Sequence, residues 1–170
     1  PAGSVVSENY EFFSNINPII IFYLAPFIAA ITARANVFKM MIWGTLVMAA
    51  PTFLLVIGPN VELFLLYILL MSIGEAMWQP RFLQWIAEIA PEGKVGLYQG
   101  IGQFPWFLTK MLTALYAGIF VERYLPETGK GMAVNSETLW LIYAIIAMIS
   151  PVALILARKW IYKGVKIKSA

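Results

Sequence analysis

Apolar residues fill this chain in long blocks, broken by short polar joints. A helix that crosses a bilayer needs about 20 mostly apolar residues. Five blocks reach that length, at 10–33, 37–57, 61–90, 95–121 and 137–157. The joints at 34–36, 58–60 and 91–94 are short, which makes neighbouring helices antiparallel; only the segment 122–136 is longer. The pattern predicts an all-α integral membrane protein of about five transmembrane helices forming one bundle over 1–170. The third and fourth blocks exceed one span, which predicts tilt or a kink at Pro80. Pro18 and Pro26 interrupt the first block in the same way.

Polar residues inside these blocks are few and ordered. Glu75 interrupts VELFLLYILLMSIGEAMW and Lys110 interrupts GQFPWFLTKMLTALYAGIF. Glu75 stands 16 residues before Pro91, and Lys110 stands 16 residues after Lys94. Two helices joined at that turn would therefore hold both charges at one depth, near the bilayer midplane. Ionisable groups there are costly and mark functional sites by default. Gln99, Gln103, Trp106, Lys110 and Thr113 follow a 4-3-4-3 spacing, which is one helix face. Lys110 lies too far from either end of its block for its stem to reach the interface. That face must meet water, a substrate or another helix. Ser72, Glu75 and Gln79 form a matching stripe, and Arg81, Gln84 and Glu88 form a second one nearer the turn. Pro80 lacks an N–H and frees the carbonyl of Ala76. Gly74 permits close backbone approach or a bend, and Gly96 with Gly100 forms a GxxxG that can seat a neighbour. The second and fifth blocks carry almost no polar residues and are expected to be outer, lipid-facing supports. Glu75 and Lys110 also fit a purely structural ion pair, and Arg81 also fits a residue that only marks the mouth of the bundle.

Composition narrows the chemistry. The chain is 61% hydrophobic and 12% charged, with no Cys, His or Asp. Disulfides, thiolate metal sites and imidazole relays are excluded, and no cofactor, metal or nucleic acid is expected. An intramembrane enzyme is the weakest reading, since no nucleophile–base pair is visible. Eight basic residues (Arg34, Lys39, Lys94, Arg158, Lys159, Lys163, Lys166 and Lys168) fall on one side of the blocks. Arg123 and Lys130 fall on the other, with Glu8, Glu11, Glu62, Glu122, Glu127 and Glu137. This bias predicts a multi-pass protein of a plasma or bacterial inner membrane with a cytoplasmic C-terminus. Tyr124, Trp140, Trp160 and Tyr162 lie near block ends, as interfacial aromatics do. The first residues, PAGSVVS, have no signal-peptide character. With an odd number of spans and an outside N-terminus, they predict the last five spans of something longer.

Three stretches resemble a known family. SNINPIIIFYLAPFIAA, from Ser14, is similar to the eighth helix of proton-dependent oligopeptide transporters, close to QSxNPxFIxxLAPxFA. IGEAMWQPRFLQWIAEIAPEGKVG, from Ile73, resembles their tenth helix and following loop, GExxxSPxGLxxxxxxAPxxxxG. WFLTKMLTALYAG, from Trp106, resembles the eleventh, WFLxxxxGNxxAG. The resemblance implies helices eight to twelve of a major facilitator fold, a partial C-terminal bundle. It implies a substrate-cavity role for Asn17, binding of a peptide amino terminus for Glu75, and a cavity position for Trp106. Trp78-Gln79-Pro80-Arg81 departs from the family's small, neutral stretch, the interval from Gly100 to Trp106 is about one turn long, and Lys110 has no typical counterpart.

Together these readings predict secondary active, proton-coupled transport of a small solute such as a peptide or amino-acid-like compound by alternating access. Asn17, Glu75, Gln79, Gln103, Trp106 and Lys110 are the expected substrate-binding residues. Glu75 is the expected proton-coupling group and Arg81 a cytoplasmic gate. The expected partners are the bilayer, a small-molecule substrate and a missing N-terminal helical bundle. A sugar, nucleoside or drug carrier of the same superfamily is an alternative, as is a non-transporting scaffold or accessory subunit. The protein is not expected to be an enzyme.

Overall fold

The computed structural model describes residues 10–58, 60–125 and 135–168. Glu8, Glu127 and Lys130, used above for orientation, lie outside the described residues, as do the side chains of Tyr162, Lys163, Lys166 and Lys168. Among the described residues the structure is helical without strands. The order is α1 (Tyr10–Ile31), α2 (Val37–Ala49), a 3₁₀ segment (Ala50–Val56), α3 (Val61–Ile89), α4 (Val95–Tyr124) and α5 (Ser136–Lys168).

Three of the helix starts are written in asparagine. Asn36 accepts from Lys39 N at 3.0 Å, Asn60 from Glu62 N at 2.8 Å and Asn135 from Thr138 N at 3.0 Å. Each side chain satisfies an amide that has no partner within its own helix. Pro51 has no N–H to donate to the preceding turn, and from Ala50, itself still in right-handed helical geometry, the chain continues as a seven-residue 3₁₀ turn. Gly93, at φ 76°, makes the reversal between α3 and α4, a backbone angle that only glycine takes without strain.

Helix α3 is the central element, touching α1, α2, the 3₁₀ segment and α4. The closest approach is between α2 and α3, at two glycines. A Cβ on Gly44 would stand 2.9 Å from Trp78 Cβ and 3.0 Å from Gly74 O. A Cβ on Gly74 would run into the backbone of Met48 and stand 2.7 Å from Gly44 O. Apolar helices gain little hydrophobic energy by pairing in a lipid-like medium, so small residues that let backbones approach mark the contact. Thr45, buried at this seam, bonds the carbonyls of Met41 (3.0 Å) and Ile42 (2.9 Å) and leaves no polar atom loose. Helix α5 lays Leu139, Ala144 and Pro151 inward, mainly against the 3₁₀ segment and α2. Its opposite stripe of Ile145, Ile149, Val152, Leu156 and Trp160 is exposed.

Two expectations change. The second block is no outer support: α2 buries Phe38, Met41, Gly44, Thr45 and Ala49. Its plainness reflects a helix packed against helices, which needs no polar stripe. Among the described residues no neighbour sits on the GxxxG of Gly96 and Gly100, since nothing lies within 4 Å of a Cβ at either position. Among the described residues four helical stretches are long and apolar enough to cross a membrane: Val37–Val56, Val61–Ile89, Val95–Tyr124 and Ser136–Ile161. Helix α1, 22 residues long, adds the apolar stretch Asn15–Ile31.

Candidate functional site

Glu75 stands at the middle of the 29-residue α3. At 1.5 Å per residue it lies about 21 Å from either helix end. The polar stripe of α3 turns toward α1. There Asn17 Nδ2 donates to Glu75 Oε2 at 3.3 Å. The Ser72 hydroxyl lies 2.6 Å from Asn17 Oδ1 and 2.7 Å from the Ile68 carbonyl, two acceptors that share its one proton. Ser72 is completely buried, whereas Asn17 and Glu75 are half-buried. Asn17 and Glu75 are 58 positions apart in sequence, and the crossing of α1 on α3 brings them together. Ser72 fixes which way the Asn17 amide points: its hydroxyl takes the amide oxygen and turns the NH₂ to the carboxylate. The carboxylate accepts this one long hydrogen bond and has no ion pair among the described residues. A carboxylate offers about four lone-pair sites, so most of its capacity is open to a cation, a proton or water.

The second stripe of α3 is a chain of side chains ending on α1. Glu88 Oε1 accepts from Gln84 Nε2 at 2.8 Å, and Gln84 Oε1 accepts from Arg81 Nη1 at 2.7 Å. Arg81 Nη2 then donates to Thr32 Oγ1 at 2.8 Å and to the Ala29 carbonyl at 3.3 Å. Thr32 Oγ1 in turn donates a hydrogen bond to the Ile28 carbonyl at 2.6 Å. The guanidinium thus sits at the C-terminal end of α1, where carbonyls lack helical donors and the helix dipole is negative. Arg81 is buried and ties α1 to α3 at the residue directly after Pro80. Trp85, a turn further on, keeps its indole N–H buried with no acceptor among the described residues.

The stripe of α4 is arranged differently. Trp106 meets Trp78 edge-to-face at 5.7 Å and 78°, and Trp78 in turn stacks on Phe82 at 5.3 Å and 6°. Gly102 faces Ile86 and Phe82. At the other end Tyr116 and Phe120 approach Tyr143 of α5 at 6.4 and 6.0 Å. Thr113 and Tyr116 share a hydrogen bond at 3.1 Å. Between these ends α4 stands clear: Gln103 and Lys110 are exposed, and no residue of α4 is buried. Lys110 Nζ lies 5.9 Å from the Trp106 ring centre. No ion pair joins it to Glu75.

Of the residues singled out from sequence, Asn17 and Glu75 come together, with Ser72 completing the group. Gln79 is half-buried one turn further along the same stripe. Trp106 and Lys110 form a separate pair, and Gln103 stands alone on exposed surface. Thr32 was missed. Its signal was a hydroxyl at the end of an apolar block, where free carbonyls need partners. No protein-family model, curated protein or solved structure matches the chain.

Proposed function

We propose that the chain is part of a membrane transporter, with the Asn17–Ser72–Glu75 group on the wall of its solute pathway. One observation carries this reading: a half-buried carboxylate at mid-helix, oriented by two neutral polar side chains and left with open acceptor capacity. A carboxylate built only to hold two helices together would be saturated or paired. This one is positioned but unsaturated, as a group must be if it is to receive an ammonium or exchange a proton. The positions that carry the resemblance to oligopeptide transporters, Asn17 and Glu75, are the two that meet, which favours a peptide or amino-acid-like solute. The exposed mid-section of α4 then faces the pathway, with Gln103 and Lys110 available to the solute's anionic end. The bias of the basic residues supports a cytoplasmic side for the Lys94 turn and the end of α5, in a plasma or inner membrane. Arg81, holding α1 to α3 near that side, is suited to a gate that opens as the two helices part.

The test is Glu75→Gln in reconstituted vesicles, with counterflow and proton-driven uptake measured separately. Gln keeps the hydrogen bond to Asn17 but cannot ionise. Loss of proton-driven uptake with counterflow retained is the expected outcome for a coupling role. Unchanged activity in both assays would sink it. A second reading, a scaffold or accessory subunit, is favoured by the unburied α4, whose apolar surface offers room for a partner helix. Absence of counterflow in every form of the protein that contains this chain would favour it.

A further inference from the structure

At the basic end of the bundle, α2 and α5 enclose a groove of about 540 Å³ that has no part in the site described above. Its rim carries three cations, Lys39 from the first turn of α2 and Arg158 and Lys159 from α5. Its walls are apolar: Ile42, Trp43 and Leu46 on α2 and Ile155 on α5. No carboxylate lines it. The layout is vertical. Leu46 lies seven residues from Lys39, about 10 Å deeper along α2. Ile155 lies one turn deeper than Arg158, because α5 runs toward the basic end and α2 away from it. Trp43, 58% exposed, stands between the two levels, where an amphipathic indole is at home in a membrane interface. Charge at the rim and hydrocarbon below is the complement of an amphiphile with an anionic head, and basic pockets between membrane helices recognise such heads.

We propose that this groove binds an anionic phospholipid, with the phosphate held by Lys39, Arg158 and Lys159 and an acyl chain laid over Trp43, Ile42 and Ile155. A soluble anion would use the rim but leave the apolar walls exposed to water, so the occupant is the lipid. The proposal requires the long helices to lie in a bilayer and does not depend on what, if anything, the protein transports.

The test uses the full chain in vesicles of phosphatidylcholine with a minority of phosphatidylglycerol. Bromine is placed on one lipid or the other at equal mole fraction. The Trp43 signal is taken as the difference between the native protein and Trp43→Phe. Quenching is expected to be stronger from brominated phosphatidylglycerol. Each of Lys39→Gln, Arg158→Gln and Lys159→Gln is expected to reduce that preference about fivefold, the factor one near-surface cation contributes. Lys39→Arg and Arg158→Lys retain it. All three rim residues are exposed, so the Gln variants keep the fold, and helix content by circular dichroism checks this. Equal quenching by the two lipids overturns the proposal. So does displacement of the preference by glycerol phosphate in solution, which would make the site one for a soluble anion. No quenching by either lipid removes the chain from the bilayer, and the proposal with it, while leaving the Glu75 group to be judged by its own assay.

Discussion

Helices α2 and α4 are both apolar, and each touches α3, yet one is the most buried helix of the bundle and the other buries nothing. Helix α2 has hardly a polar side chain, whereas α4 carries a full polar stripe. Water-based intuition would put the plain helix outside, against lipid, and the striped one inside, and the described structure reverses this. Apolar side chains gain nothing by leaving lipid for protein, so an apolar face is silent about which of the two it meets. What distinguishes α2 is Gly44, a notch into which Trp78 and Gly74 fit. The stripe of α4 is left for water, solute or a partner. In such a chain small residues report helix contact, and mid-helix polar residues report what is not yet covered.

Alanine at a seam glycine of α3 and at an open glycine of α4 sharpens this contrast most. Alanine is favoured over glycine inside a helix by about 1 kcal/mol, so Gly100→Ala, in open space, is expected to stabilise by up to that amount. Gly74→Ala places its methyl against the backbone of Met48, which cannot swing aside as a side chain would. Overpacking of this kind costs about 1–3 kcal/mol, enough to reverse the sign. Unfolding in detergent with increasing SDS reads both. Equal effects at the two positions would mean that α4 is packed as tightly as α2.

An effect of comparable size is expected at Arg81. Arg81→Gln shortens the chain that reaches Thr32 and Ala29 and loses charge-assisted bonds worth about 1.5–3 kcal/mol. Thr32→Val removes one neutral acceptor and is expected to cost about 1 kcal/mol. Hydrogen exchange should locate both losses at the end of α1 while the α2–α3 seam stays protected. Exchange that rises equally in α1 and α2 would show that the tie at Arg81 holds the whole bundle rather than one helix.

The helix starts were legible because block length is set by what must stay out of water, and that is local; the end of α5 was not, since the helix continues to Lys168, past the apolar block that closes at 157. The mid-helix position of Glu75 was legible too, and with it the stripe of Ser72, which spacing alone defines. The caps at Asn36, Asn60 and Asn135 were equally local, an asparagine directly before an apolar block, but were passed over. The Gly44–Gly74 contact was not legible, because single glycines thirty positions apart carry no mark of each other; only the crossing of α2 on α3 pairs them. Equal depth for Glu75 and Lys110 followed from counting along two helices, but equal depth is not contact. Helix α4 meets α3 at Trp106 and then turns to α5 at Tyr116 and Phe120, so Lys110 is carried away from the carboxylate. Lys39, Arg158 and Lys159 signalled only orientation, since the groove they rim exists once α2 and α5 are side by side.

The smallest expected effect decides what α4 is for. If Glu75 and Lys110 formed a buried pair, removing either charge would strand the other and cost several kcal/mol, and removing both would restore much of it. In the described structure Glu75 turns to Asn17 and Lys110 lies over Trp106. A cycle of Glu75→Gln, Lys110→Gln and the double variant is therefore expected to give additive unfolding energies, with coupling below about 0.5 kcal/mol. Lys110→Gln alone forfeits at most a cation–π contact worth about 0.5–1 kcal/mol at an exposed site. The same cycle run on uptake carries the contrast. Additive stability with non-additive transport would mean that the two charges meet only through a solute lying between α3 and α4. Strong coupling in stability would instead close α4 onto the bundle and make it a packed helix like α2.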